Sequence, residues 1–155
     1  MTESLTQSER ALSALSDGST LESLDRSTCL QLLASVPMAR IGVTVGALPV
    51  ILPVNVTLAF PMPDHEPVIV IRSGVGTKLS VAATRAVVAV EADHYDPFSH
   101  TGWSVLVQGE SRILESPFEL EWASALPLRP WARPEADCFI AVPADLVTGR
   151  RLGLA

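Results

Sequence analysis

Short apolar segments rich in valine and isoleucine recur along most of this chain, separated by Gly, Pro, Asp or His. They are MARIGVTV (38–45), LPVILPVNVTLAF (48–60), PVIVIR (67–72), AVVAVEAD (86–93), GWSVLVQGESRIL (102–114) and DCFIAVPADLVTG (137–149). This composition and punctuation are typical of strands, and Gly46-Ala47 is predicted to be the tip of the first hairpin. Continuous runs such as VIVI favour strands covered on both faces, whereas the alternation in VNVTL leaves one polar side. The pattern predicts a closed β-barrel with helices or a second subunit packed outside it.

Three short helices are predicted between these strands from their starting residues. Asp25 or Ser27 caps the first helix, which Pro37 must stop. Thr77 caps a second helix after the third strand. Ser116 starts the third helix, because a proline follows it and a glutamate lies three residues on.

Residues 1–24 differ from the rest of the chain. Ser, Thr, Glu and Gly dominate them, and their leucines have no consistent period, so we expect a mobile arm over 1–24. Residues 25–155 are of a length that suits one domain with one core. The arm lacks the basic start, apolar run and cleavage site of a secretory signal. Cys29 and Cys138 have no metal-like spacing and are expected to be reduced thiols in a cytoplasmic protein.

Composition and charge exclude several classes of function. With 48% hydrophobic and 18% charged residues, the chain is not extensively disordered. Eleven basic against seventeen acidic residues give a net charge of −6, which argues against a broad nucleic-acid surface. The apolar runs are interrupted well before the ~20 residues that a membrane span needs. A small anionic ligand held by a local basic cluster remains compatible with this composition.

The segment RSGVGTKL (72–79) contains such a cluster. Two glycines expose backbone amides, Ser73 and Thr77 offer hydroxyls, and Arg72 and Lys78 flank them at a helix start, which together suit a phosphate monoester. Lys78 is the only lysine of the chain. An ordinary strand-to-helix turn with surface charges has the same pattern. The spacing is too short for a Walker loop, so an NTPase is not expected.

Two further segments are compatible with a flat ligand. Pro53 inside a strand marks an edge, a bulge or an approach by something other than a neighbouring strand. Asn55 beside it suits the rim of a heterocycle, although a solvent-facing Asn at a barrel rim is equally ordinary. In GWSV, Trp103 and Ser104 point to opposite faces of one strand. Trp103 and Trp131 are otherwise expected in the core or in an interface.

No metal site or hydrolytic triad is expected. His94 and His100 lie in one loop, but no third strong ligand has a recognisable spacing from them. His65 lies in a proline-rich turn with nothing to mark it as a catalytic base. The sequence contains neither a Ser/His/Asp order nor a G-x-S-x-G elbow.

Taken together, these motifs resemble a known family. The order of a helix, ARIGVTV, LPVILPVNV, VIVIRSGVGTKL, VVAVEAD, GWSVLVQG, LPLRPWA and a closing VTGRRL is similar to the pyridoxamine 5′-phosphate oxidase-like flavin-binding split-barrel family. The short bacterial branch known as flavin-nucleotide-binding proteins matches best, over residues 24–152. The resemblance implies a six-stranded split β-barrel that forms a homodimer, with FMN bound at two symmetric sites in the subunit interface.

The resemblance also assigns a cofactor site in four groups. Those that would hold the FMN phosphate, or lie directly at it, are Arg72, Ser73, Gly76, Thr77, Lys78 and Leu79. Those beside the isoalloxazine ring are Pro53, Val54 and Asn55. A strand that closes the site from the other subunit contributes Trp103, Ser104 and Val105. The pocket is completed by Arg129 and Trp131. Glu91 matches a strand-end acid of this branch and faces either flavin or solvent.

The implied activity is that of a flavin-dependent oxidoreductase acting on an unidentified small molecule, with the flavin carrying the hydride or electron. A non-catalytic flavin carrier or sensor is the alternative, favoured by the short C-terminus. A further alternative is that the same barrel binds deazaflavin F420 or haem. Pyridoxamine phosphate oxidases carry an Arg-x-His segment near the C-terminus, whereas this chain has no histidine after His100. Oxidation of vitamin B6 phosphates is therefore not expected.

Overall fold

The computed structural model describes residues 21–61, 65–74, 77–129 and 137–153. Over these ranges the chain forms eight strands and three short helices. The strands are β1 (Leu21–Ser23), β2 (Met38–Val45), β3 (Leu48–Ala59), β4 (Val68–Gly74), β5 (Ala86–Asp96), β6 (Thr101–Ile113), β7 (Asp137–Pro143) and β8 (Leu146–Leu152). The helices are α1 (Arg26–Ala34), α2 (Lys78–Ala82) and α3 (Pro117–Ser124).

Six of the strands close into an antiparallel barrel in the order β6-β5-β2-β3-β4-β7, with β7 pairing back onto β6. Strand β6 closes the ring because it is long enough to pair with different strands at its two ends. Its first part pairs with β5 and β8, and Arg112 and Ile113 near its end pair with β7. Strands β8 and β1 extend the sheet beyond the ring. The predicted six-stranded split barrel is confirmed.

Local chemistry starts the helices where the sequence predicts. The side-chain oxygens of Asp25, Thr77 and Ser116 each accept a hydrogen bond from the backbone N–H three residues later. Glu119 accepts in return from the backbone N–H of Ser116, which completes a capping box. The three predicted N-caps are therefore confirmed, with Asp25 rather than Ser27 at α1.

The first hairpin turns at the predicted dipeptide. Gly46 and Ala47 have φ angles of 54° and 66°, the left-handed pair that matches the twist of two strands joined by a two-residue loop. This turn fixes the register of β2 against β3, from Val45 opposite Leu48 to Met38 opposite Asn55.

Two features differ from the prediction. DCFIAVPADLVTG was expected to be one strand, but it divides into β7 and β8 around Ala144 and Asp145. The break follows Pro143, which has no N–H to continue a ladder, and it lets β7 pair with β4 while β8 pairs with β6. Leu21–Ser23, assigned to the arm, pair with residues 150–152 of β8. Residues 1–20 lie outside the described residues.

The main core fills the barrel. Its fully buried side chains include Ile41, Ile69, Ile71, Val90, Val107 and Ile140, each of which contributes about 1.5–3 kcal/mol by leaving water. A second cluster lies between α3 and the outer face of β4 and β7, formed by Val70, Leu114, Ala123, Leu128 and Phe139. Within the described ranges no helix has the length and apolar composition needed to cross a membrane.

Candidate functional site

The barrel opens between β3 and β4. These strands pair only from Val56 opposite Ile71 to Ala59 opposite Val68. Before Val56, β3 continues along β2, and after Ile71, β4 continues along β7. The opening therefore has residues 53–55 on one side and residues 72–74 on the other. Two segments that the sequence analysis singled out separately lie at one place in the fold.

Two hydroxyl groups meet at the start of the loop that follows β4. Ser73 Oγ and Thr77 Oγ1 lie 3.1 Å apart, and Thr77 Oγ1 also accepts from the backbone N–H of Ser80 at 3.1 Å. Only one of the two hydroxyl protons is needed between the two oxygens, so the other is available to an acceptor. This pair is suited to a phosphate oxygen.

Helix α2 closes the barrel behind these hydroxyls. Leu79 and Ala83 are buried in the barrel core, and the helix packs against β2 and β4. The core position of Leu79 fits the predicted continuation of the helix behind the segment 72–78. Lys78 is the first residue of α2, and its backbone alone is described. Gly76 lies outside the described residues.

Arg72 points away from the hydroxyl pair. Successive side chains of a strand alternate between its faces, so Arg72 and Ser73 lie on opposite sides of β4. The Arg72 guanidinium carbon is 5.9 Å from the centre of the Phe139 ring, within cation–π range. There it lines a small depression of about 60 Å³ together with Leu126 and Leu128 beyond α3. Its contribution to phosphate binding stays a prediction.

The opposite side of the opening presents both apolar and polar groups. Val54 is buried in the barrel core, whereas Pro53 is exposed on the outer face. Asn55 is half-buried, with its Nδ2 3.5 Å from the carbonyl oxygen of Pro37 and 2.9 Å from Met38 Sδ. The Asn55 amide is thus anchored to the backbone where β2 begins.

The aromatic strand segment lies elsewhere in the same chain. Trp103 packs against the barrel core, Val105 is fully buried, and Ser104 faces outward, as the alternation predicted. Strand β6 is separated from β3 by β5 and β2, a path of about 14 Å along the sheet at the usual strand spacing. A single chain therefore does not bring these residues to the opening. Arg129 is exposed at the end of a described range, and Trp131 lies outside the described residues.

A charged cluster that the sequence analysis missed lies on the outer face of the sheet. Arg40 Nη1 is 3.3 Å from a carboxylate oxygen of Glu91 and 3.2 Å from one of Asp93. Burial raises the pKa of Glu91, and the neighbouring Asp93 adds to this, while Arg40 acts in the opposite direction. In the sequence, this cluster is indicated only by an arginine at an outward-facing position of one strand and by an E-x-D motif in another. Only the register of β2 against β5 brings them together.

Next to this cluster, the outer faces of β5, β6 and β8 form a depression of about 230 Å³. Its polar lining consists of Glu91, Ser104, Thr148 and Arg150. Glu91 thus faces this depression, which the sequence could not determine.

The histidines and cysteines form no further site. His65, His94 and His100 are exposed, and in the described ranges no three His, Cys, Asp or Glu side chains are grouped to hold a metal ion. Cys29 and Cys138 are buried free thiols, and burial raises the pKa of each.

Comparison with known proteins gives consistent matches. The model of a family described as pyridoxamine 5′-phosphate oxidase matches residues 25–151. The uncharacterized protein Rv0080 of Mycobacterium tuberculosis is 37% identical over 134 residues, covering 83% of this chain and 84% of that protein.

Two solved structures share the fold along nearly their whole length. The FAD binding protein from Mycobacterium smegmatis has a TM-score of 0.69 and 32% identity, covering 84% of this chain and 99% of that one. A conserved protein of unknown function from Corynebacterium diphtheriae has a TM-score of 0.74 and 27% identity, covering 86% of this chain and 99% of that one.

Proposed function

Because this chain belongs to the pyridoxamine 5′-phosphate oxidase family, we propose that it binds a flavin nucleotide in the opening between β3 and β4. The observation that carries the proposal is the meeting of the Ser73–Thr77 hydroxyl pair with the segment 53–55 at that opening. The similar Mycobacterium smegmatis protein, which is described as FAD binding, supports it.

The residues at the opening fit the parts of such a ligand. Ser73 and Thr77 supply hydroxyl donors, and Lys78 is the cation next to them in the chain. Charge-assisted hydrogen bonds to phosphate are the stronger kind, so Lys78 is expected to contribute most of the phosphate affinity. Pro53 offers an exposed apolar surface to a flat ring, with the anchored Asn55 amide beside it. In this proposal the residues bind and orient the ligand.

We propose FMN as the cofactor and oxidoreduction of a small molecule as the activity. A bound flavin supplies hydride or electron transfer, so no side chain of this chain has to act as a nucleophile. FAD, deazaflavin F420 and haem are the alternative ligands, and each is distinguishable by direct binding.

We further propose that the site is completed by a second copy of the chain. Strands β5 and β2 separate the segment 103–105 from β3 within one chain, and Val105 is fully buried while Ser104 faces outward, so in this proposal the segment approaches a partner's flavin through Ser104. The outer face of the sheet offers a surface for this contact, because Ile51 and Val87 are 71% and 75% exposed there.

The test is a titration of the purified protein with FMN, FAD, riboflavin, F420 and haem, followed by absorbance and calorimetry. We expect FMN to bind at least about tenfold more tightly than riboflavin, because riboflavin lacks the phosphate. Lys78→Ala should weaken FMN binding by roughly 1.5–3 kcal/mol and leave riboflavin binding unchanged. Thr77→Val should also weaken FMN binding, whereas Thr77→Ser keeps the hydroxyl and should not.

Arg26→Gln is the matched control, because Arg26 is an exposed cation that pairs with Glu66, and Glu66 precedes the end of β4 that is opposite to the proposed phosphate site. Equal losses in Arg26→Gln and Lys78→Ala, or equal affinities for FMN and riboflavin, would place the phosphate elsewhere. Tighter binding of F420 or haem than of any flavin would overturn the cofactor.

The oxidoreductase activity is tested on the loaded protein by anaerobic reduction, followed by mixing with a panel of electron acceptors. Oxidation of the bound flavin at a rate above that of free reduced FMN supports catalysis. Protection of the reduced flavin from every acceptor would favour the carrier or sensor.

A further inference from the structure

Arg40 is a cation that lies next to the surface offered to the flavin ring. In the pairing of β2 with β3, Arg40 lies directly opposite Pro53. Side chains of directly opposed residues point to the same face of a sheet, with their Cβ atoms about 5 Å apart. Both residues are exposed there. A guanidinium group therefore adjoins the exposed proline on the outer face beside the opening.

Two carboxylates of β5 hold Arg40 in place. Its Nη1 is 3.3 Å from Glu91 Oε2 and 3.2 Å from Asp93 Oδ2, so both contacts use the same nitrogen. A guanidinium carries five N–H donors. Those on Nε and Nη2 have no partner among the residues that the structure describes. Arg40 is thus an anchored cation with donors that are available to a ligand.

The flavin ring system has an end that matches this cation. It consists of three fused rings, and one end carries two carbonyl oxygens. A ring system of this length that lies on Pro53 extends beyond the spacing of about 4.8 Å between neighbouring strands, and on the β2 side it meets Arg40. A flavin that takes up two electrons and one proton becomes an anion, so a cation at the carbonyl end favours the reduced form.

We propose that Arg40 binds the polar end of the flavin ring by donating hydrogen bonds to its carbonyl oxygens. Glu91 and Asp93 are then positioning residues, because they hold the guanidinium rather than the ligand. This inference rests on the proposed flavin site and adds to it a residue for the ring, whereas Lys78 acts on the phosphate.

The first test compares FMN with riboflavin, because the two share the ring and differ in the phosphate. Arg40→Gln should weaken both ligands by the same factor, at least about fivefold. Lys78→Ala should weaken FMN alone. Arg40→Lys keeps a charged donor without the planar fork, so it should recover part of the affinity. Calorimetry on the full chain, freed of flavin, measures these affinities.

Arg112→Gln is the matched control. The side chains of Arg112 and Arg40 are each 55% exposed and each pairs with a carboxylate, but Arg112 contacts Glu119 of α3. Its substitution should leave both flavin affinities unchanged. Equal losses in Arg40→Gln and Arg112→Gln, or a loss in Arg40→Gln that is confined to FMN, would overturn the proposal.

A second readout separates a contact with the ring from a purely structural role. Anaerobic titration with dithionite-reduced FMN gives the ratio of the affinities for reduced and oxidised flavin. Arg40→Gln should lower this ratio at least about fivefold, because the reduced ring carries the charge. Glu91→Gln keeps an acceptor for Arg40 but removes a negative charge, so it should raise the ratio. An unchanged ratio in both variants would overturn the proposal.

The outcomes distinguish this inference from the function on which it rests. A protein that binds neither FMN nor riboflavin would overturn the proposed function and the role of Arg40 with it. If Lys78→Ala weakens FMN but Arg40→Gln changes the binding of neither ligand, only the role of Arg40 is overturned.

Discussion

The side chain of Ser111 joins the end of helix α2 to the start of β5. It is fully buried, and its hydroxyl lies 2.7 Å from the carbonyl oxygen of Ala83 and 2.9 Å from that of Ala86. These carbonyls flank Arg85, whose φ of 50° is uncommon for a residue with a side chain. The hydroxyl therefore supports the strained turn between α2 and β5.

Ser111→Ala should lower the free energy of unfolding by about 1–3 kcal/mol, because the one hydroxyl proton shared between these two carbonyl oxygens is lost from a buried position. Ser124→Ala is the matched control, since its hydroxyl also donates to a carbonyl, that of Leu120, but at the exposed surface. Ser124→Ala should lower the free energy of unfolding by no more than about 0.5 kcal/mol. Urea unfolding measures both, and equal losses would mean that Ser111 has no special role.

At the level of elements, α3 is attached to β6 by one ion pair. Arg112 of β6 contacts Glu119 of α3 at 2.5 Å, and Glu119 also closes the capping box with Ser116. Arg112 and the Ser116 hydrogen bonds lower the pKa of Glu119 to about 2. Because the pKa is lowered in the folded state, this stabilisation is complete above the ordinary carboxyl range and is lost as the pH falls through about 2.

Arg112→Gln should therefore reduce the free energy of unfolding by about 1 kcal/mol at neutral pH, the scale of a partly exposed ion pair. The difference from the unaltered protein should shrink below pH ~4 and vanish near pH ~2, as Glu119 takes up its proton. Thermal unfolding of both proteins over this pH range measures the difference in stability. A difference that stayed constant down to pH ~2 would show that Arg112 acts through packing instead.

The elements that follow from local chemistry were predictable, and those that depend on distant pairing were not. Asp25, Thr77 and Ser116 bond a backbone N–H three residues away, so a few letters of sequence suffice to predict them. The division into β7 and β8 depends on which strand each half joins. Apolar residues on both sides of Pro143 therefore indicated a single strand.

The same distinction applies to the site. The loop at 72–79 and the segment at 53–55 were identifiable from residue types, and their meeting follows from the barrel that the family resemblance implied. The direction of Arg72 depends on strand alternation combined with the position of α3. The Arg40–Glu91 pair required the register of β2 against β5, which no spacing along the chain encodes.

For the whole molecule, the proposed homodimer depends on the outer sheet face. Ile51→Asp combined with Val87→Asp should convert the proposed homodimer to a monomer, because two carboxylates would have to be buried without partners. Phe118→Asp is the matched control, since Phe118 is 67% exposed on α3, away from this face. Sedimentation velocity measures the outcome. If the Ile51→Asp/Val87→Asp variant stays dimeric and Phe118→Asp becomes monomeric, the interface lies at α3 instead.

The pairing of β4 with β7, which lie far apart in the sequence, has a consequence for synthesis on the ribosome. Strand β4, with its VIVI core, has β3 on one edge from the start, but its other edge waits for β7. Roughly 60 residues separate β4 from β7, which take about 3–12 s to translate at the usual rate of elongation. During that interval the nascent chain carries an open, strongly apolar strand edge, which is what chaperones bind and what neighbouring chains on a polysome join. The yield of this protein in a cell should therefore depend on how quickly translation reaches residue 143.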